Sequence, residues 1–365
     1  MKILILGPYT SPIVQRLKSN LELTGEHTVW VASHNIDSDI ENRLISLGNV
    51  NSFFEYFKFY KVNKIVKELK PDIVHAHILN HYGLMALFQQ TPLIVALWGS
   101  DVMLALNSKN LFKKLFYKII SFLVASKAKL MHTSSLHVKD EMQKHFSKKI
   151  SDKINVFYWG FPLNPPSSVK LNQLSKELFK EFDITTDELL VFPRGLAPTY
   201  NPDAAVKIIN TIIASQITYE IIVLRGFSTD EQVHRFMETI GENIKNIVFI
   251  NRLLSSEELY CLYCHTKFHF SVPISDALGG GVIEPAQLGS TPILSNILPY
   301  QSYLKNNRGF IMSNYSDDSL EDLCSQILSF NVDLKSEKLG TQYSAANITN
   351  QIINIYKIAL QHRIV

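Results

Sequence analysis

The chain has 365 residues, of which 46% are hydrophobic and 19% charged, a composition typical of a folded globular protein. This length exceeds one usual hydrophobic core, so we expect two domains. The net charge is only +3, yet residues 1–160 carry 20 Lys and Arg against 12 Asp and Glu, while the remainder carries 16 against 21. The small net positive charge and the lack of a recognised motif argue against nucleic-acid binding. The basic first half is better suited to an anionic partner than the acidic second half is.

Cysteine usage and apolar runs indicate the compartment. The three cysteines Cys261, Cys264 and Cys324 do not form a disulfide framework. Cys261, Cys264 and His265 spell CxxCH, a haem-attachment pattern that we discount because we expect no export signal and predict a helix running into a strand there. The apolar run at residues 3–6 ends too soon for a signal peptide. The sequence contains no run of about 18 apolar residues, so we predict no membrane-spanning helix. We expect a cytoplasmic protein without a cofactor.

The first half alternates short apolar strands with helices. Its predicted strands are residues 2–6, 27–32, 72–77, 93–98, 129–134 and 154–159. Helices are predicted over residues 12–23, 61–69, 110–125 and 136–145. Strands that are apolar along their whole length and alternate with helices indicate a parallel sheet covered on both faces.

A second sheet of the same kind is predicted after a break. Pro162, Pro165 and Pro166 interrupt the alternation, and we place a linker near residues 160–168. Further strands are predicted over residues 189–194, 221–224, 246–250, 267–272, 292–295 and 309–312. The fold class is therefore α/β, with two doubly wound, Rossmann-like parallel sheets. The assigned regions are a first domain at 1–160, a linker region at 161–188, a second domain at 189–345 and a C-terminal helix at 346–365.

The segment 271–295 carries the clearest functional signal. After an apolar strand come Asp276, the glycines Gly279, Gly280 and Gly281, and then Glu284 at a predicted helix start. This order exposes backbone N–H groups and a positive helix end to an anion such as a diphosphate. A carboxylate in the first helical turn is suited to binding the hydroxyls of a ribose. The alternative interpretation is an ordinary strand-to-helix turn.

Two arginines strengthen the prediction of a nucleotide site. Arg194 and Arg225 end two other strands of the second half. In a doubly wound sheet, ligands bind beyond the carboxyl ends of the strands, where these arginines and the glycine segment would meet. Their convergence predicts an anionic nucleotide ligand.

Several motifs together resemble the GT-B-fold glycosyltransferases of the large retaining family four, over nearly the whole chain. DIVHAH at 72–77 and WGSD at 98–101 are similar to motifs of that family's first domain. PRG at 193–195 and VLRG at 223–226 are similar to its glycine-containing strand ends. Asp276 and Glu284 match the spacing of its E-x7-E signature.

The resemblance implies both a fold and residue roles. It implies an acceptor-binding first domain, a donor-binding second domain and a last helix that returns to the first. It implies transfer with retention of configuration and no metal. Glu284 would bind the donor ribose, and Arg194 and the glycine N–H groups would bind the diphosphate. Asp276 would contact the donor sugar, with Asp101 and His75 as further catalytic residues facing it from the first domain.

Three positions depart from the family pattern. Asp276 replaces the usual Glu, Trp98 replaces a cleft histidine, and residues 199–201 are Thr, Tyr and Asn where the family has a Lys. We hypothesise that Arg225 supplies the missing charge, in which case alanine at this position would raise the donor KM.

Weaker signals have alternative interpretations. His75 and His77 share one face of a strand and either contact the acceptor or lie in the core. They and His81 lack the further ligands that a zinc site needs, and the DxD string at 37–39 is more typical of a solvated loop than of a metal site.

Two segments rich in lysine and apolar residues, 53–70 and 109–129, are typical either of contact with an anionic membrane or of core helices with lysines on the exposed face. Membrane contact would place the protein at the inner face of the membrane.

The predicted function is transfer of a sugar from a nucleoside diphosphate to a hydroxyl of a glycan or lipid-linked acceptor, as in the synthesis of a surface polysaccharide or lipopolysaccharide. One alternative is a sugar-nucleotide epimerase of the same fold. Another is a catalytically inactive glycosyltransferase-like subunit that stabilises a partner. The base, sugar and acceptor do not follow from the residue spacing.

Overall fold

The computed structural model describes residues 1–330 and 339–361. The chain divides into two compact units, Met1–Phe161 with Thr341–Val365, and Pro162–Gly340. Each unit is built on its own parallel sheet, which confirms the predicted α/β class with two Rossmann-like sheets.

The first unit contains a seven-stranded sheet in the order β3-β2-β1-β4-β5-β6-β7. Its strands are β1 (Lys2–Leu6), β2 (Thr28–Ser33), β3 (Leu44–Ser46), β4 (Ile73–His77), β5 (Leu93–Ala96), β6 (Leu130–Thr133) and β7 (Ile154–Val156). Its helices up to this point are α1 (Pro12–Leu23), α2 (Phe59–Leu69), α3 (Gly83–Met85), α4 (Ser100–Met103), α5 (Leu111–Lys127), α6 (Leu136–His145) and α7 (Lys148–Ser151). All neighbouring strands are parallel, and β1 pairs with β4 so that Ile5 lies opposite His75.

The second unit contains a six-stranded parallel sheet in the order β10-β9-β8-β11-β12-β13. Its strands are β8 (Leu189–Phe192), β9 (Glu220–Leu224), β10 (Ile247–Ile250), β11 (Thr266–Ser271), β12 (Thr291–Ser295) and β13 (Phe310–Met312). Its helices are α8 (Ser168–Glu181), α9 (Pro202–Ala214), α10 (Asp230–Ile240), α11 (Ser256–Cys264), α12 (Gly280–Gln287), α13 (Leu298–Leu304) and α14 (Asp317–Ser329).

The second sheet is buried on both faces, as its continuous apolar strands predict. Strand β8 sends Leu190 and Phe192 into one core cluster and Leu189 and Val191 into another. On the first of these faces, the rings of Phe192 and Phe270 stack with centroids 4.5 Å apart. The two clusters fix the strand ends from which the candidate site is built.

The last helix, α15 (Ala345–Gln361), packs within the first unit. It buries Ile348, Ile352 and Ile355 along one stripe. The hydroxyl of Tyr356 lies 2.8 Å from Nδ1 of His75, so the helix is tied to β4 by a buried hydrogen bond as well as by apolar contact.

The predicted strands are all present, with ends that move by up to three residues. The short strand β3 was not predicted, because its three residues are only half-buried at the sheet edge and form no apolar run. The segment 161–188, assigned as a linker region, contains helix α8, which is capped by Ser167 and places Leu178 in the core of the second unit. No helix in the described part of the chain is both long and apolar enough to cross a membrane.

Candidate functional site

The candidate site lies where the strand order of the second sheet changes direction. The chain runs outward from β8 through β9 to β10, and then returns to place β11 on the other side of β8. Such a switch point leaves a crevice beyond the carboxyl ends of the two central strands. Arg194 follows β8 and Asp276 follows β11, so the topology brings these two residues to the same crevice.

Arg194 and Asp276 form a bidentate ion pair. Nη1 of Arg194 donates to Oδ2 of Asp276 at 3.2 Å, and Nη2 donates to Oδ1 at 3.3 Å. The two side chains are only 15% and 12% exposed. Burial alone would raise the pKa of Asp276, but the charge of Arg194 and the hydrogen bond from Tyr300 outweigh it and hold that pKa below its usual range. The pair is therefore charged, and Arg194 is held in place by a fixed carboxylate.

Tyr200 supports the same arginine from another side. The guanidinium carbon of Arg194 lies 4.5 Å from the centre of the Tyr200 ring, a cation–π geometry. Tyr200 belongs to the segment 199–201, where the sequence lacks the lysine expected from the resemblance. In this chain the segment contributes an aromatic face to Arg194.

Tyr300 completes the network and was not predicted from the sequence. Its hydroxyl donates to Oδ2 of Asp276 at 2.7 Å, and Oγ of Ser271 lies 2.8 Å from the same hydroxyl. Because the Tyr300 proton is used toward Asp276, Ser271 is the donor to Tyr300. Tyr300 is fully buried on α13, 24 residues beyond Asp276. No local sequence pattern distinguishes it from any other core tyrosine.

The three glycines allow these side chains to approach the start of α12. A Cβ atom on Gly281 would lie 2.5 Å from Cδ of Arg194, and one on Gly279 would lie 2.7 Å from its Nη1. A Cβ on Gly280 would lie 2.7 Å from Oε1 of Glu284. A Cβ on Gly281 would therefore displace the aliphatic part of Arg194, whereas at Gly279 and Gly280 it would displace only the far end of a flexible side chain.

Backbone groups of the loop are partly used within the protein. The N–H of Gly279 donates to Oδ2 of Asp276 at 3.1 Å, so this group already has a carboxylate partner. Gly280 begins helix α12, and half-buried Glu284 lies one turn further on the same helix. Arg194 and Glu284 thus lie on either side of a helix N-terminus, an arrangement that favours an anion between cationic and N–H groups.

Arg225 ends the neighbouring strand but points to other partners. Its guanidinium donates to Asn251 at 3.1 Å and to Asp230 at 2.5 Å. The backbone at this strand end is close to that of β8, because a Cβ on Gly226 would lie 3.1 Å from Cα of Gly195. The hypothesis that Arg225 binds the donor stays a prediction, and it would require the exposed ion pair with Asp230 to be exchanged for the ligand.

Asp101 organises a turn in the first unit. Its carboxylate accepts the backbone N–H groups of Trp98, Gly99 and Leu79 at 3.0, 2.9 and 2.8 Å. The residue is buried, and burial raises its pKa to about 6 against the effect of these hydrogen bonds. These contacts join the end of β5 to the turn after β4. The catalytic role implied for Asp101 stays a prediction.

His75 lies in the core of the first unit. It is fully buried, with Nδ1 at 2.8 Å from the hydroxyl of Tyr356 and Nε2 at 2.9 Å from Nε2 of His132. Burial lowers its pKa to about 3, so the ring is neutral. These are the contacts of a core histidine, the alternative that the sequence left open for this strand. The geometry gives no support to the implied contact of His75 with substrate, because both ring nitrogens are bonded inside the unit.

Residues 1–330 and 339–361 contain no group of three or more His, Cys, Asp or Glu side chains arranged to hold a metal ion. In the DxD string, Asp39 accepts hydrogen bonds from the backbone and side chain of Asn42. His77 accepts a hydrogen bond from the indole of Trp98 at 3.2 Å. Asp39 and Nδ1 of His77 are therefore used in local contacts, whereas Nε2 of His77 is buried without a hydrogen-bond partner.

We expect Tyr300→Phe to lower kcat/KM for sugar transfer about tenfold and the free energy of unfolding by about 1–2 kcal/mol, since Asp276 loses a donor and Ser271 an acceptor in a buried site. Donor kinetics and urea unfolding measure the two effects. Tyr219→Phe, which changes a partly buried tyrosine at the opposite end of the sheet, is the matched control. Unchanged kcat and KM in Tyr300→Phe would show that the hydroxyl does not position Asp276.

Comparisons with known proteins agree with this geometry. Residues 2–134 match the family model for "Glycosyl transferase 4-like" proteins. None of the curated proteins matches the chain. Among solved structures, a glycosyltransferase from Rickettsia africae is similar with a TM-score of 0.71 at 18% identity, covering 99% of this chain and 98% of that one.

Two further structures share the fold. The Anabaena protein HepE in complex with UDP and glucose has a TM-score of 0.71 at 14% identity, covering 98% of this chain and 99% of its own. The UDP-GlcNAc 2-epimerase from Neisseria meningitidis bound to UDP-GlcNAc has a TM-score of 0.63 at 12% identity, covering 97% and 99%. Full-length similarity at such low identity establishes the fold.

The fold is thus the GT-B architecture, which is built from two Rossmann-like domains. Within this fold, residues 2–134 are the part of the chain that is similar to the glycosyl transferase 4-like family.

Proposed function

We propose that the protein transfers a sugar from a nucleoside diphosphate to a hydroxyl of a glycan or lipid-linked acceptor. UDP is the first nucleoside diphosphate to test. The observation that carries this proposal is the joint placement of Arg194, Asp276 and the glycine-rich start of α12 at the switch point of the second sheet. The similarity to a protein that binds UDP and glucose supports the choice of UDP.

The chemistry follows from the charges at this site. When the sugar leaves, negative charge grows on the diphosphate, and donors fixed in advance around that charge lower the barrier. Arg194 is such a donor because Asp276 and Tyr200 hold it before any ligand arrives. With this cation and a helix N-terminus present, we propose that no metal is needed. Glu284 then binds the ribose, and Asp276 contacts the transferred sugar while it holds Arg194.

The acceptor side of the proposal rests on the resemblance and on charge. The resemblance implies transfer with retention, in the synthesis of a surface polysaccharide, lipopolysaccharide or related glycan. The excess of basic residues within 1–160 suits an acceptor or surface that carries negative charge. We propose that the protein contacts the inner face of a membrane.

A thermal-shift panel with UDP, GDP, ADP and CMP tests the donor site. A nucleotide at about 100 times its Kd stabilises the native state by about 2.7 kcal/mol, which raises the Tm of a domain of this size by about 5–10 °C. We expect one nucleoside diphosphate to produce this shift, and its sugar derivatives to support transfer or slow hydrolysis. A chain stabilised by none of them would be the inactive partner subunit considered above.

We expect Glu284→Ala to remove most of the nucleotide-induced Tm shift, because the ribose loses its carboxylate partner. Asp276→Ala should instead lower turnover much more than nucleoside binding, since Asp276 lies beside Arg194 on the sugar and diphosphate side. The measurements are the Tm shift with nucleoside and nucleotide, and the transfer rate. Equal loss of both properties in both variants would contradict these separate roles.

A second candidate function is epimerisation of a sugar nucleotide, favoured by the structural similarity to a UDP-GlcNAc 2-epimerase. Incubation of the protein with UDP-GlcNAc, followed by proton NMR of the sugar ring, separates the two functions. An epimerase would convert the donor to its C2 epimer without any acceptor. A glycosyltransferase would leave the configuration at C2 unchanged and would release UDP.

A further inference from the structure

Helix α5 has an exposed face that is almost entirely apolar. Its opposite face buries Ile120, Val124 and Ala125 in the first unit. The exposed face carries seven large apolar side chains that are between 40% and 87% exposed, namely Leu111, Phe112, Leu115, Phe116, Ile119, Phe122 and Leu123. A surface helix normally presents polar residues on the side away from the core, so this face lacks the composition expected for contact with water.

The sequence alternative of a core helix with lysines on its exposed face does not describe α5. At 100° per residue, the exposed apolar side chains occupy one broad stripe centred opposite the buried residues. Lys127 borders this stripe on one side and Lys118 on the other. Lys113 and Lys114, in the first turn, lie one step further round on the two sides. The lysines therefore flank the apolar face.

The apolar surface continues beyond α5. The ring of Phe57 lies 6.3 Å from that of Phe116 on α5, and 6.2 Å from that of Phe54. Phe54 is 76% exposed and belongs to the 3-10 helix Phe53–Phe57. Two segments that are distant in sequence thus form one continuous exposed apolar surface, which we call the α5 face.

Lysine dominates the charge around the α5 face, and Glu55 of the 3-10 helix is paired with Lys58 at 2.7 Å. Between Asp101 and Asp140 the chain carries seven lysines and no acidic residue. An apolar stripe with lysines along both borders is complementary to an anionic lipid surface, where the rings enter the boundary of headgroups and acyl chains and the ammonium groups contact phosphates. A second copy of the chain is a poorer occupant, because the same lysines would face one another.

We propose that the α5 face docks the protein on an anionic membrane surface, with α5 lying in the plane of the interface. The helix has 17 residues, so it would contact the bilayer along about 25 Å. The inference deepens the proposed function, since it names the surface by which the first unit would reach a lipid-linked acceptor. It rests on exposure and charge in the first unit alone.

Vesicle flotation with the full chain tests the proposal. The probes are vesicles of phosphatidylcholine and vesicles of an equimolar mixture of phosphatidylcholine and phosphatidylglycerol, without nucleotide or acceptor. We expect binding to the mixed vesicles only, weakened by added salt because the lysine attraction is screened. Phe112→Gln, Leu115→Gln and Ile119→Gln, combined in one variant, should reduce partitioning on the order of 100-fold. Glutamine keeps the helix propensity high, so this variant should fold.

Two further variants make the test specific. Lys113→Gln, Lys114→Gln and Lys118→Gln together should weaken binding to the mixed vesicles about fivefold per lysine. Leu23→Gln, which changes a 78% exposed leucine on α1 of the same unit, should bind like the unchanged protein. Circular-dichroism melting of every variant checks that each is folded.

The outcomes distinguish membrane docking from its alternatives and from the donor site. The proposal would be overturned if the unchanged protein did not bind the anionic vesicles. It would also be overturned if the variant that combines Phe112→Gln, Leu115→Gln and Ile119→Gln bound them as well as the unchanged protein. A concentration-dependent dimer in sedimentation that the same variant abolishes, without vesicle binding, would assign the α5 face to a second copy and also overturn it. The vesicle experiment contains no nucleotide, so its result does not depend on whether any nucleotide stabilises the protein in the thermal-shift panel. The thermal-shift panel contains no vesicles, so its result does not depend on membrane binding.

Discussion

Replacing Arg194 with alanine is expected to lower kcat/KM for sugar transfer about 1,000-fold. Arg194 is the cation that the structure holds at the switch point, and loss of a fixed donor to a developing phosphate charge costs rate of this order. The loss should fall mainly on kcat, because the charge that Arg194 meets is larger in the transition state than in the bound donor. Initial rates with a radiolabelled sugar nucleotide at several donor concentrations give both constants.

The same substitution should also destabilise the second unit by about 3 kcal/mol or more, since it leaves the buried carboxylate of Asp276 without its counter-charge. The matched control is Arg225→Ala, which removes an arginine from the next strand end. Its partner Asp230 is 94% exposed, so we expect under about 1 kcal/mol of destabilisation. If Arg225 binds the donor as hypothesised, the donor KM rises and kcat stays unchanged.

Urea unfolding and donor kinetics on both variants decide between these expectations. A value of kcat in Arg194→Ala within threefold of the unchanged protein would refute the proposed role. If Arg194→Ala unfolds before it can be assayed, Arg194→Lys keeps the charge and loses the bidentate geometry, so it should fold and still lose rate.

Gly281→Ala is expected to lower kcat/KM about 100-fold and to lower the free energy of unfolding by about 1–3 kcal/mol. The added methyl group would lie 2.5 Å from Cδ of Arg194, so the arginine must move away from the start of α12. A displacement of about 1 Å of a positioning group is enough to cost this much in rate. Alanine favours helix over glycine at this position in α12, so the helix itself is not weakened.

Two other glycines serve as comparisons. Gly280→Ala places its methyl group 2.7 Å from Oε1 of Glu284, so it should weaken nucleotide binding more than turnover. Gly241 has a φ of +58° with a ψ of −133° and no neighbour within 4 Å of an added Cβ, so Gly241→Ala should cost about 1–3 kcal/mol of stability and leave transfer unchanged. Equal kinetics in the Gly281 and Gly241 variants would show that close approach of Arg194 to α12 is not needed.

The strands of both sheets could be predicted because each is an apolar run between turn residues. Residues 2–6 and 189–192 are buried on both faces of their sheets or nearly so, and this burial is what an unbroken apolar run indicates. The edge strand β3 could not be predicted, because its three residues are only half-buried and do not form a long apolar run. Helix α8 was missed within the assigned linker region because prolines precede it and only Leu178 of its residues is buried.

Part of the candidate site is local in sequence. Asp276, the three glycines and Glu284 lie within nine residues, so their order alone indicates a strand, a loop and a helix start. The partners of these residues are distant. Arg194 precedes Asp276 by 82 positions, and Tyr300 follows it by 24. The switch-point topology could bring Arg194 into the prediction, whereas nothing local marks the hydroxyl of Tyr300 as a partner of a carboxylate.

The sequence by itself determined the alternation of strands and helices, the two sheets and the glycine segment, because these depend on residues close together in the chain. Only the tertiary structure decided which side chains meet. It placed His75 in a core between Tyr356 and His132, and it showed that the lysines of α5 flank an exposed apolar face. The physical reason is that apolar periodicity specifies how a segment folds, whereas burial and partner choice depend on the elements that pack against it.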